Sequence, residues 1–289
     1  DKALRHLDIG LRVRACNSAI EQTIKTKGKV VGGLHQRPEY NVEITDNFPI
    51  LSLFPENIWQ SGVNVSKLQS EIVSVFTTDF CRTIWTITAE NNSVIELAFD
   101  QGCIQSNGNQ VDICEIELEL LQGNIADLFI LAEDLFQILA IRPGVKSKAA
   151  RGYALWQNQQ TPTALTPLEL IPLKTDSSIE QSFIAGVDFG LQQLQSFIEA
   201  YISAPSLSYL AKITEVLALI RHGFWLFEDK VPTQMKAIRN ELSYFIKLLT
   251  WVDSAIYFQE LTTKTGNYRK KLQMSEQLFS QLKLEKRRF

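Results

Sequence analysis

The sequence predicts an α+β protein in which an antiparallel β-barrel with covering helices is followed by an all-α helical bundle. Between about residues 11 and 121, short segments alternate apolar and polar side chains, a period of two that is typical of strands. After residue 178 the apolar residues recur with helical spacing. The intervening polar segment contains three prolines and is typical of a linker. We therefore expect a β-domain at 1–160, a linker at 161–178 and a helical domain at 179–289.

The predicted strands are short and are separated by turn residues. Hairpin chemistry is present at NNS (91–93) and at SNGN (106–109), which contains an Asn-Gly pair. Such turns join antiparallel neighbours, so we expect an antiparallel sheet. The six segments with the strand pattern are LRVRAC (11–16), AIEQTIK (19–25), EYNVEI (39–44), CRTIWTIT (81–88), VIELAF (94–99) and ICEIELELL (113–121).

One amphipathic helix is predicted after the last of these strands. Asn124 is a favourable N-cap, and Pro143 ends the helical pattern. The apolar positions between them follow the 3, 4 and 7 spacing of a single helix face, so the helix should lie against the sheet. These positions are Ile125, Leu128, Phe129, Ala132, Leu135, Phe136 and Leu139.

The second half of the chain predicts a helical bundle. Four segments each sustain an apolar stripe over several turns, and Pro205, Pro232 and Gly266 separate them. The segments are 178–202, 206–227, 233–258 and 268–289.

Composition excludes several classes of protein. The 289 residues are 45% hydrophobic and 21% charged, as in ordinary globular proteins. A net charge of −3 argues against a generic nucleic-acid binder, which needs a basic surplus. No apolar run approaches the ~20 residues of a membrane span. The four cysteines form no CxxC pair and no regular framework, so we expect reduced thiols in a cytoplasmic protein.

Carboxylates line the polar faces of two predicted strands. Glu115, Glu117 and Glu119 share one face of their strand, and Glu96 and Asp100 share one face of the preceding strand. Carboxylates in such rows repel one another. At neutral pH they require basic side chains or bound metal ions, or their pKa values must rise.

Basic residues line the polar faces of other predicted strands. Arg12 and Arg14 flank Val13 on one of them. Lys25, Arg37 and Arg82 lie in or beside later segments. A barrel that turned these faces inward would hold acids and bases in one tunnel, which suits a polyanion bound with divalent cations. The alternative from the pattern alone is an ordinary sheet with one charged face in water.

Five strings in the first half occur in a recognisable order. They are TIKTKGKVVGGLHQRPEYNVEI (23–44), FTTDFCRTIW (76–85), IELAFDQG (95–102), ICEIELELLQG (113–123) and SKAARGY (147–153). Together they resemble the CYTH domain of bacterial inorganic triphosphatases, which are triphosphate tunnel metalloenzymes, and the resemblance runs from about residue 8 to 156. The segment LIRHGFWLF (219–227) resembles the CHAD helical domain that often follows.

The resemblance implies an eight-stranded antiparallel tunnel that binds triphosphate with Mg²⁺ or Mn²⁺ and hydrolyses it to phosphate and pyrophosphate. In the helical domain it implies polyphosphate binding by Arg221 and His222. The implied phosphate ligands are Arg12, Arg14, Lys25, Arg37, Arg82 and Lys148. The implied metal ligands or water-positioning groups are Glu96, Asp100, Glu115, Glu117 and Glu119.

The sequence departs from the family at one point. Family members begin with a strand bearing Glu-x-Glu-x-Lys, and no such string precedes Arg12. We therefore keep as alternatives a polyphosphate-binding module without catalysis, and a class IV-type adenylyl cyclase or thiamine triphosphatase of the same superfamily. The expected partner is inorganic triphosphate or polyphosphate, and not a nucleic acid or a membrane.

Overall fold

A computed structural model describes residues 3–16, 19–31, 34–144, 146–158, 171, 175–230, 235–262 and 280. The chain divides into two compact units, residues 1–160 and 161–289. Most of the expected linker and nearly all of the expected helix at 268–289 lie outside the described residues.

In its described residues, the first unit combines eight antiparallel strands with short helices. Its helices are α1 (Ala3–His6), α2 (Val65–Glu71), α3 (Ile125–Ile138) and α4 (Lys148–Trp156), and two 3₁₀ turns lie at Leu51–Leu53 and Glu56–Ile58. Its strands are β1 (Gly10–Cys16), β2 (Ala19–Lys25), β3 (Lys29–Val31), β4 (Leu34–Gln36), β5 (Glu39–Ile44), β6 (Thr77–Thr88), β7 (Val94–Ser106) and β8 (Asn109–Gln122).

These strands form three sheets, whereas the resemblance implies a single tunnel. One sheet has the order β1-β2-β5, the second is the β3-β4 hairpin, and the third has the order β6-β7-β8. A closed barrel requires every edge strand to pair with another strand. Within the described residues, β1, β5, β6 and β8 have no second ladder partner, so the expected antiparallel strands are present but the expected closed barrel is not.

The third sheet is built from long strands joined by tight turns. Asn107 and Gly108 both have positive φ, 50° and 77°, which is the type I′ geometry that the Asn-Gly pair predicts for the β7–β8 hairpin. Charged and apolar residues alternate along β8, so its two faces differ in character.

Helix α4 packs on all three strands of the third sheet. It begins after Ser147, whose hydroxyl accepts a hydrogen bond from the amide of Ala150 at 3.2 Å. Gly152 permits a close approach, because a Cβ there would lie 2.4 Å from ring carbons of Phe76. The Phe76 ring also meets Tyr153 edge-on at 5.4 Å between centroids. These contacts fix α4 over one face of the sheet.

Helix α3 begins at the predicted cap and contacts β8. The Asn124 side chain accepts from the amide of Ala126 at 3.0 Å. The predicted apolar face is only partly covered in the first unit, since Leu128 is buried whereas Phe129 and Phe136 are exposed.

The first sheet rests on a separate core made of Ile9, Ile24, Leu51 and Phe54. The buried Gln22 side chain secures the loop that carries this core: its amide oxygen accepts from the Ile50 amide at 2.8 Å, and its NH₂ donates to the Ile50 carbonyl at 2.9 Å. Both backbone groups of Ile50 are therefore satisfied next to an apolar core.

The second unit is helical, with α5 (Ile179–Ser203), α6 (Leu207–Leu226), α7 (Lys236–Leu248) and α8 (Trp251–Thr262). Its core centres on α6 and includes Phe197, Val216 and Ile220. Ser178 and Gln181 form a capping box at the start of α5. No helix among the described residues is long and apolar enough to cross a membrane.

The third helical segment predicted by the sequence is divided into α7 and α8. At the junction, the Leu249 amide bonds to the Ile246 carbonyl at 3.1 Å in a 3₁₀ pattern. The Thr250 hydroxyl donates to the Lys247 carbonyl at 2.9 Å. Side-chain bonds of this kind compete with the helical ladder, which apolar periodicity does not reveal.

We predict opposite effects of alanine at two helical glycines. Gly152→Ala forces a methyl group into the Phe76 ring and should lower the free energy of unfolding by about 1–2 kcal/mol. Gly223→Ala, in α6, meets open space and should raise it by about 0.5–1 kcal/mol, because alanine is the better helix former. Urea denaturation of each variant measures both changes. Stabilisation by Gly152→Ala would contradict the close packing of α4 on the sheet.

Candidate functional site

Three charged residues form a row across the third sheet. Arg82 on β6 lies opposite Asp100 on β7, and Asp100 lies opposite Glu115 on β8. Glu117 is two residues further along β8 and therefore shares the face of Glu115. Helix α4 contributes basic residues to this face. The Asp100 side chain is 0% exposed, so its charge must be balanced locally.

The ammonium group of Lys148 contacts all three carboxylates. Its Nζ lies 2.6 Å from Asp100 Oδ2 and 2.9 Å from Glu117 Oε1, and it also donates to Glu115 Oε1. Lys148 is the first residue of α4, so the Ser147 cap that starts the helix also places this ammonium group. One cation thus bridges one oxygen from each of three acidic residues.

Arg82 holds two of the same carboxylates. Its Nε and Nη2 donate to the two oxygens of Asp100, each at 2.7 Å, in a bidentate pair. Its Nη2 also donates to Glu117 Oε2 at 2.6 Å. Asp100 therefore receives hydrogen bonds from Arg82 and Lys148, which supply the charge that its burial demands.

Arg151 completes the cluster and was not among the residues selected from the sequence. Its Nη2 donates to Glu115 Oε2, and its Nη1 donates to the backbone carbonyl of Asp112 at 3.2 Å. Glu115 is consequently held through one oxygen by Lys148 and through the other by Arg151. The available signal was the three-residue spacing of Lys148 and Arg151, which places both on one face if the segment is a helix.

The cluster shifts the pKa values of its members. Burial favours the neutral form of Asp100, but hydrogen bonds and charge from Arg82 and Lys148 outweigh burial and hold its pKa below the ordinary 3.8. The same balance, with Lys148 as the larger contributor, holds the pKa of Glu117 below 4.5. Burial would lower the pKa of Lys148, yet its bonds to the carboxylates raise it above 10.5. The pKa of Arg82 is raised chiefly by its hydrogen bond to Asp100.

The donor set fits a hard divalent cation. One oxygen each from Asp100, Glu115 and Glu117 lies within 4.8 Å of the others, so the three could converge on a single ion. Mg²⁺ and Mn²⁺ prefer carboxylate oxygens. The Lys148 ammonium group contacts one oxygen of each of these three carboxylates.

A second charged face belongs to the first sheet. Arg12 and Arg14 on β1 share a face with Lys25 on β2, and Lys25 pairs with Glu39 on β5. Arg12 Nη2 donates to the Thr23 hydroxyl at 3.3 Å, whereas Arg12 Nε is buried without a hydrogen-bond partner among the described residues. A buried donor of this kind is costly unless it finds an acceptor.

Burial is the main reason that the pKa of Arg12 lies below its ordinary value, and the positive charge of Arg14 is the next. The carboxylates of Glu39 and Glu21 partly oppose this lowering.

The remaining residues selected from the sequence lie apart from this cluster. Glu96 and Glu119 face each other directly across β7 and β8, further along the same face. Arg37 is exposed just before β5. In the second unit, Arg221 donates from Nε to the Ser243 hydroxyl at 2.7 Å, and His222 is exposed.

Comparisons with known proteins agree with the sequence resemblance. Residues 1–153 match the model of the CYTH domain. An inorganic triphosphatase from Haemophilus influenzae is 39% identical over 164 residues, which are 55% of this chain and 44% of that protein. The aligned part is thus less than half of the relative's length. The CYTH assignment is confirmed, and the CHAD resemblance of residues 179–289 stays a prediction.

We predict that Asp100 is a pH-dependent source of stability. Asp100→Ala leaves Arg82 and Lys148 with less negative charge and should lower the free energy of unfolding by roughly 3–5 kcal/mol at pH 7. Since the folded-state pKa of Asp100 lies below 3.8, its contribution is fully present above that pH and is lost as the pH falls through the folded-state value. Urea denaturation of wild type and variant at pH 7 and at about pH 3 measures both effects.

Asp79→Ala is the matched control, because Asp79 is an exposed carboxylate on the opposite face of β6. It should change the free energy of unfolding by less than about 0.5 kcal/mol. An Asp100→Ala effect as small as that of the control, or equally large at pH 7 and pH 3, would contradict the assigned ion pairs.

Proposed function

The chain belongs to the CYTH domain family, and from this premise we propose that it hydrolyses inorganic triphosphate to phosphate and pyrophosphate with Mg²⁺ or Mn²⁺. The observation that carries the proposal is the cluster of ion pairs between three carboxylates and three basic side chains on the sheet face that α4 covers. The cluster consists of Asp100, Glu115, Glu117, Arg82, Lys148 and Arg151. The printed name of the 39% identical relative, inorganic triphosphatase, supports the same reaction class.

Substrate binding is assigned to the basic residues of both sheets and α4. Arg12, whose buried Nε has no hydrogen-bond partner in the described part of the chain, is suited to donate to a phosphate oxygen, and Arg82 presents the fork geometry that matches phosphate. Lys148 adds a mobile point charge. Arg14, Lys25 and Arg37 extend the basic surface along the first sheet and the segment before β5. We further propose that the charged faces of the two sheets turn toward each other as a tunnel, as the CYTH family assignment supports.

Metal binding is assigned to Asp100, Glu115 and Glu117, whose oxygens lie close enough to share one ion. When bound, the cation would neutralise charge on the phosphate oxygens and act as a Lewis acid. These three carboxylates are heavily engaged by basic groups, and the low pKa values of Asp100 and Glu117 make them poor proton acceptors.

Water orientation is therefore assigned to the neighbouring carboxylates Glu96 and Glu119. No ion pair reaches either residue within the described part of the chain, and both lie on the site face. Two carboxylates directly opposite each other repel, so their position also favours an additional cation. From there a carboxylate can accept a hydrogen bond from water and direct its oxygen at the terminal phosphorus, while pyrophosphate leaves in line.

The helical unit and the cellular location complete the proposal. We assign residues 179–289 to a CHAD-like domain in which Arg221 and His222 contribute to polyphosphate binding. All four cysteines are free thiols, which supports a reducing compartment such as the cytoplasm.

We predict phosphate release from tripolyphosphate that requires Mg²⁺ or Mn²⁺ and stops with EDTA, whereas ATP and thiamine triphosphate should be turned over more slowly. Glu117→Gln should lower kcat/KM by about 100-fold, since it removes a charged metal ligand. Asp79→Asn, on the opposite face, should leave kcat/KM within about twofold. A colorimetric phosphate assay measures these rates.

The same assay separates the alternatives. Faster turnover of thiamine triphosphate would reassign the substrate, and formation of cyclic AMP from ATP would identify a cyclase. Binding of polyphosphate without phosphate release, at any metal concentration, would leave only the binding module.

A further inference from the structure

We infer that Lys148 and the divalent cation are alternative occupants of the carboxylate site, so that metal binding drives the Lys148 ammonium group off Asp100, Glu115 and Glu117 and frees it for the substrate. This inference rests on the proposed function and adds to it a control of metal binding within the protein. It makes the lysine first an internal competitor of the metal and then a ligand of phosphate.

The position of the ammonium group carries the inference. Lys148 Nζ lies 2.6 Å from Asp100 Oδ2 and 2.9 Å from Glu117 Oε1, and it donates to Glu115 Oε1. Those are the three residues whose oxygens could converge on one ion. Mg²⁺ would need oxygens at about 2.0–2.1 Å in the same space. Two cations cannot share this position, because their repulsion at such a separation in a partly buried site is large.

The charge count leads to the same conclusion. Asp100, Glu115 and Glu117 carry three negative charges, and Arg82, Lys148 and Arg151 carry three positive ones. The cluster is neutral as it stands. A dication added without any other change would leave two uncompensated positive charges, which is costly around the fully buried Asp100. The metal must therefore displace a basic group, arrive with an anion, or both.

Lys148 is the basic group best able to leave. Arg82 holds both oxygens of Asp100 in a bidentate fork, and Arg151 is tied to the Asp112 carbonyl as well as to Glu115. Lys148 instead is at the first position of α4, and a flexible four-carbon stem carries its point charge. Arg151 would keep Glu115 oriented while Lys148 moves, which makes Arg151 a positioning residue.

Linkage gives this exchange opposite consequences for the two ligands. Metal alone must compete with Lys148 and should bind weakly, whereas triphosphate stabilises the displaced lysine and should strengthen metal binding. Removal of the lysine head should therefore tighten metal binding in the absence of substrate and weaken the binding of triphosphate. If Lys148 were only a supporting residue of the site, its removal would weaken the binding of both metal and triphosphate.

Mn²⁺ titration followed by electron paramagnetic resonance tests the exchange on the whole chain without substrate. Lys148→Met should bind Mn²⁺ at least about tenfold tighter than wild type. Arg151→Met is the matched control, because it removes one positive charge from the same helix and the same carboxylate. Its affinity for Mn²⁺ should exceed that of wild type by less than about threefold. Equal tightening of Mn²⁺ binding in both variants would mean that net charge alone explains the effect, and it would overturn the inference. Unchanged Mn²⁺ affinity in Lys148→Met would also overturn it, as would the absence of Mn²⁺ binding by both the wild type and Lys148→Met.

Amine labelling of the wild-type protein provides a readout that needs no variant. The Lys148 side chain is 14% exposed, and Lys212 in α6 is a matched reference with 19% exposure and its own carboxylate partner, Glu215. Mn²⁺ alone should raise acetylation of Lys148 several-fold, and added tripolyphosphate should reverse the increase, with Lys212 unchanged throughout. Labelling of Lys148 that does not respond to Mn²⁺ would overturn the inference.

Failure of the inference and failure of the proposed function remain distinguishable. Metal-dependent phosphate release with Lys148 unmoved by Mn²⁺ would preserve the function and remove the exchange. Displacement of Lys148 by Mn²⁺ without any phosphate release would preserve the exchange and remove the function.

Discussion

Neutralisation of three carboxylates by three basic side chains is the constraint on which the third sheet depends. The β8 pattern forces Glu115 and Glu117 onto one face beside the fully buried Asp100, an arrangement that would repel itself in isolation. Arg82 supplies one cation from within the sheet, and α4 supplies the other two. The helix therefore covers the sheet and also supplies charge to it. The tight Gly152–Phe76 contact fixes the distance between the helix and the sheet.

This constraint also couples stability to function. The ion pairs that secure the cluster occupy the oxygens that a metal ion would need, and they occupy the guanidinium and ammonium groups that a phosphate chain would need. Ligand binding must exchange these partners without leaving a buried charge uncompensated. A metal and a polyanion that bind together satisfy that requirement, because each replaces the partner that the other removes. Among the described residues, Arg12 Nε is likewise buried without a hydrogen-bond partner, so it would be free to donate to such a polyanion.

The sequence predicted strands and turns best where the side chains alternate regularly or where a specific turn motif is present. The bounds expected for β2 and β5 match the structure, and the type I′ turn follows from Asn107 and Gly108. The extensions of β6 and β7 were not predicted, because their outer ends lack alternating hydrophobicity. Helix α4 was not predicted as a helix, because nine residues with a central glycine carry little helical periodicity. Its first part was noted only as the string SKAARGY. As a consequence, Arg151 was not selected as a site residue. The α7–α8 break depends on local hydrogen bonds that apolar periodicity does not encode.

The most direct measurement of the central claim is the anomalous scattering of Mn²⁺ in crystals grown with tripolyphosphate and the metal. The account predicts a peak bonded to carboxylate oxygens of Asp100, Glu115 and Glu117, with the phosphate chain in contact with Arg82 and Arg12. Manganese bound only at other residues, with the three carboxylates still paired solely to Arg82, Lys148 and Arg151, would contradict it.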